Sequence, residues 1–420
     1  MNSLERSRIA KEVNEAGRCS HPVRLNSIQV NVKTGELTSK VIKVACKDRR
    51  EAVCPACSRT YGTDAWIVAA TGINGGKGVP INVVDCPRLF VTMTAPGFGS
   101  VHTIRPNGRC AQVFSVDTVC DHGWPKSCGL RHEEQDRLLG LPICNQCFRY
   151  REAALWNAHA SRLWTSTILQ TRRNLASRIG VSRVELPRYA AVHYLKVAEM
   201  QRRGLVHFHV LARLDAGELS DVGSHGNELI GAWTDAMGKV VISNELGSFQ
   251  WGTILDIKTL GKHDDDARVL ASYLAKYVTK TAGEGLELAR QFRSRRQIRV
   301  LVDNPHLRRL ALEAWDLSSE PACSHLNAKS HAHTLGYTGH LMTKSRRYST
   351  TLTALRQART SYRTREHSGD VVTGDFSYAG RGYDDPQTAI LAQLLVSLER
   401  ERRGPSRRIA NLEREFDGDH

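Results

Sequence analysis

Cysteine placement constrains this chain more than any other feature. Ten of its eleven cysteines lie before residue 148, and four of them form two CxxC pairs, at residues 54–57 and 144–147. A two-residue gap lets one turn aim both thiolates at a single tetrahedral ion, whereas thiols in a reducing compartment rarely form disulfides. Metal ions are therefore predicted to stabilise the fold of the first third of the chain, and no such sites are predicted in the rest.

Two closed, structural zinc sites are predicted from these cysteines, each built from one CxxC pair and two further cysteines. The two ligand sets are Cys19, Cys46, Cys54 and Cys57, and Cys120, Cys128, Cys144 and Cys147. His122 and His132 are reserve ligands for the second site. Cys86, Cys110 and Cys323 are interpreted as free buried residues, because cysteine is often fully buried. A thioredoxin-like redox role is disfavoured, since no βαβ pattern surrounds either pair.

The charge balance predicts a nucleic-acid partner. Lys and Arg total 59 against 43 Asp and Glu, which gives a formal net charge of +16 over 420 residues. Such a field concentrates polyanions near the protein. No apolar run reaches roughly 18 residues and the N-terminus lacks an apolar signal core, so we expect a cytoplasmic protein with no membrane partner. The length predicts two or three domains.

Residues 190–197 and 205–212 are predicted to form a β-hairpin. Both segments show alternation and are rich in β-branched or aromatic residues, and the Arg-Arg-Gly at 202–204 between them is typical of a turn. Apolar residues at helical spacing predict a long helix at 148–178. A further helix is predicted at 266–281.

The predicted hairpin carries the first candidate site. With a three-residue turn, Gln201 pairs with Leu205 and Glu199 lies opposite His207. His209 comes next along the same face, because side chains two apart in a strand share a face. One carboxylate and two imidazoles make a mixed site suited to Mn²⁺ or Mg²⁺ as a Lewis acid. The alternative is a half-buried strand whose histidines are satisfied by hydrogen bonds.

Two tyrosines on the last predicted helix form the second candidate site. Tyr273 and Tyr277 are four residues apart, so both phenols project from one helix face, and Lys276 and Lys280 form the adjacent stripe. A tyrosine oxygen can attack a phosphodiester to give a covalent phosphotyrosine, while ammonium groups and a metal stabilise the developing charge. The alternative is an amphipathic surface helix with core tyrosines and solvated lysines.

In combination these features resemble the His-hydrophobic-His (HUH) endonucleases, and among them the rolling-circle replication initiators of actinobacterial plasmids and integrative conjugative elements. Three motifs occur in the family's order, as FVTMTAP at 90–96, EMQRRGLVHFH at 199–209 and YLAKYVTK at 273–280, with further similarity in LWNAHA at 155–160 and HLMTKSRRYS at 340–349. The resemblance covers roughly residues 19–365. Met93 departs from it, since a smaller or branched aliphatic residue is expected there.

The resemblance implies an α+β fold with a five-stranded antiparallel sheet, a relative of the ferredoxin-like split βαβ fold. The histidines would lie on a central strand with the tyrosine helix packed over them. The implied activity is nicking and rejoining of single-stranded origin DNA through a 5′-phosphotyrosine on Tyr273 or Tyr277, which leaves a 3′-OH for a host polymerase. The sequence contains no phosphate-loop motif for unwinding, so a host helicase is the expected partner.

Four regions are expected from these assignments. They are an N-terminal zinc-ribbon region at 1–85, an HUH endonuclease domain at 86–285 with a zinc-binding insertion at about 110–150, a basic DNA-binding region at 286–366, and a flexible linker with a charged tail at 367–420. The candidate DNA contacts are clustered basic side chains that could follow a phosphate backbone. They are Lys344, Arg346, Arg347, Arg356 and Arg359.

Two rival functions remain open from the sequence. A two-tyrosine HUH transposase would use the same chemistry on transposon ends, and a non-catalytic zinc-containing regulator would bind DNA without cleaving it. A conjugative relaxase is disfavoured, because such enzymes carry an N-terminal tyrosine and no tyrosine here precedes Tyr61.

Overall fold

A computed structural model describes the chain at residues 3–31, 35, 37–104, 110, 119–218, 222–261, 264–279, 291–366 and 372–403. The helices of these residues are α1 (Ser3–Glu15), α2 (Pro55–Asn74), α3 (Tyr150–Arg178), α4 (Leu186–Tyr189), α5 (Gly226–Lys239), α6 (Asp264–Thr279), α7 (Arg295–Leu301), α8 (Pro305–Asp316), α9 (Leu352–Glu366) and α10 (Pro386–Arg403). The strands are β1 (Val23–Asn31), β2 (Leu37–Val44), β3 (Arg88–Met93), β4 (Ala190–Met200), β5 (Val206–Ala216), β6 (Val241–Asn244), β7 (Gly247–Gln250), β8 (Leu255–Thr259), β9 (Met342–Lys344) and β10 (Val372–Arg381).

The described residues divide into two compact units. The smaller unit is built from the residues up to Val68 and from Thr350 onwards, and the larger unit from Ala69–Ser349. Among the described residues, no helix is both long and apolar enough to cross a membrane.

A five-stranded antiparallel sheet organises the larger unit, with strand order β8-β3-β5-β4-β9. This confirms the predicted α+β class and its five-stranded antiparallel sheet. Phe208 and Val210 of the central strand β5 pack into the main hydrophobic core together with residues of α3 such as Leu155 and Trp156. Because side chains alternate between the two faces of a strand, His207 and His209 belong to the opposite face.

The β4–β5 hairpin has the predicted register. Glu199 pairs with His207 across the two strands. At the turn, the Gln201 N–H donates to the Leu205 carbonyl at 2.9 Å and the Gly204 N–H donates to the Gln201 carbonyl at 2.8 Å. Gly204 has φ = 75°, in the left-handed region that favours glycine. A three-residue turn closed by glycine therefore sets which side chains of β4 and β5 face each other.

The two predicted helices are confirmed as α3 and α6. The helix α3 ends just before Gly180, whose φ of 76° is typical of the residue that terminates a helix. The helix predicted at 266–281 is described as far as Thr279, because residues 280–290 lie outside the described part of the chain.

The fifth strand of the sheet corrects a predicted boundary. The strand β9 pairs with β4, with Leu195 opposite Lys344 and Val197 opposite Met342. It comes from the segment 286–366, which the sequence analysis assigned to a separate DNA-binding region. A three-residue strand is too short to show a period-2 pattern, and its partner lies far away in the sequence, so local reasoning missed it.

The smaller unit corrects the prediction of a flexible linker and tail at 367–420. The strand β10 joins β1 and β2 in a three-stranded antiparallel sheet of order β10-β1-β2, and Ala392 of α10 packs against Ile9 and Val13 of α1. Asp385 caps α10, since its carboxylate accepts the backbone N–H of Thr388 at 3.0 Å. Residues 367–371 and 404–420 lie outside the described part of the chain.

Candidate active site and metal-binding groups

The predicted histidines and carboxylate meet on one face of the large sheet. His207 and His209 are each 2% exposed, and their ring centroids lie 4.5 Å apart. The carboxylate atom Glu199 Oε2 lies 3.2 Å from His209 Nε2. Two imidazoles and one carboxylate on a buried surface are a donor set that fits a divalent cation such as Mn²⁺ or Mg²⁺.

Both tyrosines of α6 lie over these histidines and are buried. The Tyr273 hydroxyl oxygen lies 3.4 Å from His209 Nε2. The Tyr277 ring centroid lies 5.5 Å from that of His209 and 4.6 Å from that of Tyr273. One imidazole nitrogen, His209 Nε2, therefore contacts both a carboxylate and a phenol. Lys276 is exposed, and Lys280 lies outside the described residues.

The strand β3 supplies two contacts to His209 to which the sequence reasoning assigned no role. Thr92 is the direct partner of His209 across β3 and β5, and its Oγ1 lies 3.4 Å from His209 Nδ1. The Phe90 ring stacks on the imidazole, with centroids 5.5 Å apart and planes at 11°. A polar partner on one ring nitrogen orients the other nitrogen towards its ligand. Phe90 and Thr92 are two residues apart in the motif FVTMTAP, so they share one face of the strand, and this spacing could have indicated both contacts.

Buried polar contacts hold the turn between β4 and β5. Asn157 Nδ2 donates to the Gly204 carbonyl at 2.9 Å, and His306 Nε2 contacts the Arg203 carbonyl at 3.0 Å. The Arg203 guanidinium donates to the Ala95 carbonyl at 3.0 Å. Burial lowers the pKa of Arg203 to about 10 and the pKa of His306 to about 4. At neutral pH Arg203 is therefore charged and His306 is neutral, as these contacts need.

The first predicted cysteine set comes together in the smaller unit as Cys19, Cys46, Cys54 and Cys57. The sulfur atoms of Cys46 and Cys57 lie 3.6 Å apart, and those of Cys19 and Cys54 lie 3.7 Å apart. A tetrahedral ion with Zn–S bonds of about 2.3 Å places its sulfur ligands about 3.8 Å from each other. This group could hold zinc.

The second predicted set is corrected at Cys128. Cys120, Cys144 and Cys147 are joined by His122 instead, whose Nδ1 lies 3.3 Å from Cys147 Sγ. The cause is a tight turn, in which the Cys120 N–H donates to the Trp124 carbonyl at 2.8 Å and keeps Cys120 and His122 in one loop.

Cys128 instead belongs to a third group that could hold a metal ion. Its members are His102, Cys110, Cys128 and His132. The sequence predicts that Cys110 is a free buried residue and indicates no role for His102. The described residues thus contain three groups of this kind where two zinc sites were predicted.

Arg359 is corrected as a candidate DNA contact. Its guanidinium donates to both carboxylate oxygens of Asp64, with Nη2 2.6 Å from Oδ2. The Asp64 side chain is 2% exposed, so Arg359 balances a buried charge within the smaller unit. Arg356 on the same helix is exposed and remains a candidate for phosphate contact.

The basic cluster that begins with Lys344, the last residue of β9, also divides into structural and exposed residues. Lys344 Nζ donates to the Ser349 carbonyl at 2.7 Å and to the Arg346 carbonyl at 3.1 Å. Burial lowers the pKa of Lys344. Lys344 therefore ties down its own loop, whereas Arg346 and Arg347 are exposed.

Known proteins similar to this chain agree on one family. The family described as "Replication initiator protein, pSAM2" (RepSA) matches residues 5–396. The chain belongs to this family. A replication initiator protein of Streptomyces ambofaciens is 32% identical over 428 residues, which cover 92% of this chain and 89% of that protein. No solved structure matches the chain. As a member of the RepSA family the protein is a replication initiator.

Proposed function

We propose that this replication initiator nicks and rejoins single-stranded origin DNA by the HUH mechanism, with a tyrosine of α6 as the nucleophile. The observation that carries the proposal is the position of His209, whose Nε2 lies 3.4 Å from the Tyr273 hydroxyl and 3.2 Å from Glu199 Oε2. The strand order adds support, because the central strand β5 carries both histidines beneath the tyrosine helix.

The chemistry is a transesterification at one phosphodiester. The Tyr273 oxygen attacks phosphorus and loses its proton, the bond from phosphorus to the 3′ oxygen breaks, and that oxygen takes up a proton to become a 3′-OH. His207, His209 and Glu199 would hold Mn²⁺ or Mg²⁺, which when bound polarises the phosphate as a Lewis acid. The 5′-phosphate stays on the tyrosine, so the bond can be remade. The 3′-OH would prime a host polymerase, with a host helicase to unwind the duplex.

Tyr273 is the proposed nucleophile of the two tyrosines. Its hydroxyl lies within reach of the imidazole nitrogen that also contacts Glu199. Tyr277 packs edge-on against it at 4.6 Å between centroids. We assign Tyr277 to positioning the Tyr273 ring.

The test is a covalent adduct between the protein and labelled single-stranded origin DNA in the presence of Mn²⁺, detected after denaturation. Tyr273→Phe should abolish the adduct, whereas Tyr277→Phe keeps the ring that packs on Tyr273 and should still form it. Tyr362→Phe is the matched control, because Tyr362 is 67% exposed on α9, and it should form adduct at the wild-type level.

Two outcomes would overturn the assignment. If the protein binds DNA but forms no adduct with any fragment of the cognate origin, the result would favour the non-catalytic regulator. Full adduct formation by Tyr273→Phe together with loss in Tyr277→Phe would exchange the roles of the two tyrosines.

A further inference from the structure

A His-Cys-Cys-His cluster lies in the larger unit, outside the site proposed for strand transfer. Its members are His102, Cys110, Cys128 and His132. We propose that this cluster binds one structural Zn²⁺, and that the bound ion fixes the turn between the strands of Glu199 and His207. The effect on the catalytic ligands rests on the proposed nicking function, whereas the zinc site does not.

Distances between the ligand atoms fit a tetrahedral zinc ion. With Zn–N bonds of about 2.0 Å and Zn–S bonds of about 2.3 Å, the edges of the tetrahedron are about 3.3–3.8 Å long. His102 Nδ1 lies 3.2 Å from His132 Nε2, and Cys128 Sγ lies 3.5 Å from the same nitrogen. Cys110 Sγ lies 4.0 Å from His102 Nδ1. One ion can therefore reach all four ligand atoms with small adjustments.

The surroundings are those of a closed structural site. Cys110 is 0% exposed, His132 5% and Cys128 8%, and four protein ligands complete a tetrahedral shell with no position for a substrate. Two thiolates balance the charge of Zn²⁺. The Nδ1 atom of His132 lies 2.5 Å from Asp136 Oδ2, and a carboxylate in this place fixes the tautomer and orientation of a zinc-bound imidazole.

The segments that carry these ligands contact the turn of the β4–β5 hairpin. Arg202 Nη2 donates to the Glu134 carbonyl at 2.8 Å. Gly140, with φ = 81°, lies so close to the turn that a Cβ there would be 2.5 Å from the Arg202 Cβ. The Gly140 N–H donates to the His102 carbonyl at 2.9 Å. An ion bound by both His102 and His132 therefore joins two segments. One contacts Arg202 through Glu134, and the other supports Gly140, which packs against Arg202.

Zinc content tests the site directly in the full-length protein. Elemental analysis should find three zinc ions per chain in the wild type and two in a Cys110→Ser, Cys128→Ser double variant. Cys323→Ser is the control, because Cys323 is buried and lies outside the three groups, and it should keep three. Two ions in the wild type and an unchanged count in the double variant would overturn the proposal.

A conservative variant keeps the test valid if the double variant does not fold. Asp136→Asn retains all four ligands but weakens the partner of His132, so one of the three ions should be lost to a competing chelator at a concentration about 10–100-fold lower than in the wild type. Identical chelator profiles for all three ions in both proteins would contradict the site.

Mn²⁺ binding, measured as loss of the free-ion EPR signal, tests whether the zinc ion fixes the turn between the strands of Glu199 and His207. Asp136→Asn after removal of the labile zinc should bind Mn²⁺ about threefold or more weakly, and so should Arg202→Ala, which keeps three zinc ions. Unchanged Mn²⁺ binding in both variants would overturn the link to the hairpin. Three zinc ions without a DNA adduct in the wild type would refute the nicking function and leave the zinc site standing.

Discussion

Replacement of Asn157 should disturb the turn between β4 and β5 with little change in side-chain shape. Asn157 is 0% exposed on α3. Its Nδ2 donates to the carbonyls of Gly204 at 2.9 Å and Leu335 at 3.0 Å, and its Oδ1 accepts the Val206 N–H at 3.0 Å. Asn157→Leu keeps the volume and removes all three bonds.

The expected loss of stability follows from the three backbone groups that lose their partner, which are the carbonyls of Gly204 and Leu335 and the N–H of Val206. A buried polar group left without a partner costs about 1–3 kcal/mol, so even the lower end of the range sums to about 3 kcal/mol for the three groups. With a urea m-value of about 3 kcal/mol/M, the unfolding midpoint should fall by about 1 M. The Val206 amide should also exchange its hydrogen about tenfold or more faster, because its acceptor is gone.

Asn174→Leu is the matched control on the same helix. Asn174 is partly buried, its Nδ2 donates to the Ala232 carbonyl at 3.2 Å and its Oδ1 accepts from Gln170 Nε2 at 2.8 Å. Since only the Ala232 carbonyl is a backbone group left without this partner, the substitution should cost about 1 kcal/mol. Urea denaturation and hydrogen exchange by mass spectrometry measure both variants. Equal midpoints for the two variants, with unchanged exchange at Val206, would refute the claim that Asn157 holds the turn.

Four further substitutions test the roles of three basic side chains and of the turn between β4 and β5. Arg359→Met should destabilise the smaller unit by about 2 kcal/mol because it leaves the buried Asp64 carboxylate unpaired, a loss reduced by the 38% exposure of Arg359; Arg356→Met should instead lower the salt dependence of DNA binding by about one ion and leave the urea midpoint unchanged. Burial lowers the pKa of Lys196 to about 7, so above pH 7 the unfolded chain holds a proton that the folded protein has lost. Stability should then rise between pH 7 and 9 by about 2 kcal/mol more in the wild type than in Lys196→Met, as followed by urea midpoints. Gly204→Ala should lower the urea midpoint by an amount equivalent to about 1 kcal/mol or more, because φ at this position is 75°.

The parts of the fold that could be predicted are those whose signals are local. The β4–β5 hairpin combines period-2 alternation with a glycine-closed turn, and these two facts determine that Glu199 faces His207. The helices α3 and α6 are long enough for a 3.6-residue period to stand out. The strands β9 and β10 have no such signal, since one has three residues and the other is rich in Gly and polar residues. Both are strands because distant segments offer them hydrogen bonds.

The candidate active site followed from the sequence further than the metal-binding groups did, and the reason is geometric. A strand allows two side-chain directions, so the parity of His207, His209 and Glu199 leaves little freedom once the turn is known. A loop rich in cysteine and histidine has no such period, and a CxxC pair can be completed by any ligand that the loop brings near. A tight turn at Cys120 brings in His122 and leaves Cys128 for another partner. The division of ligands therefore depends on long-range loop folding, and counting bound zinc tests that folding more directly than any sequence pattern can.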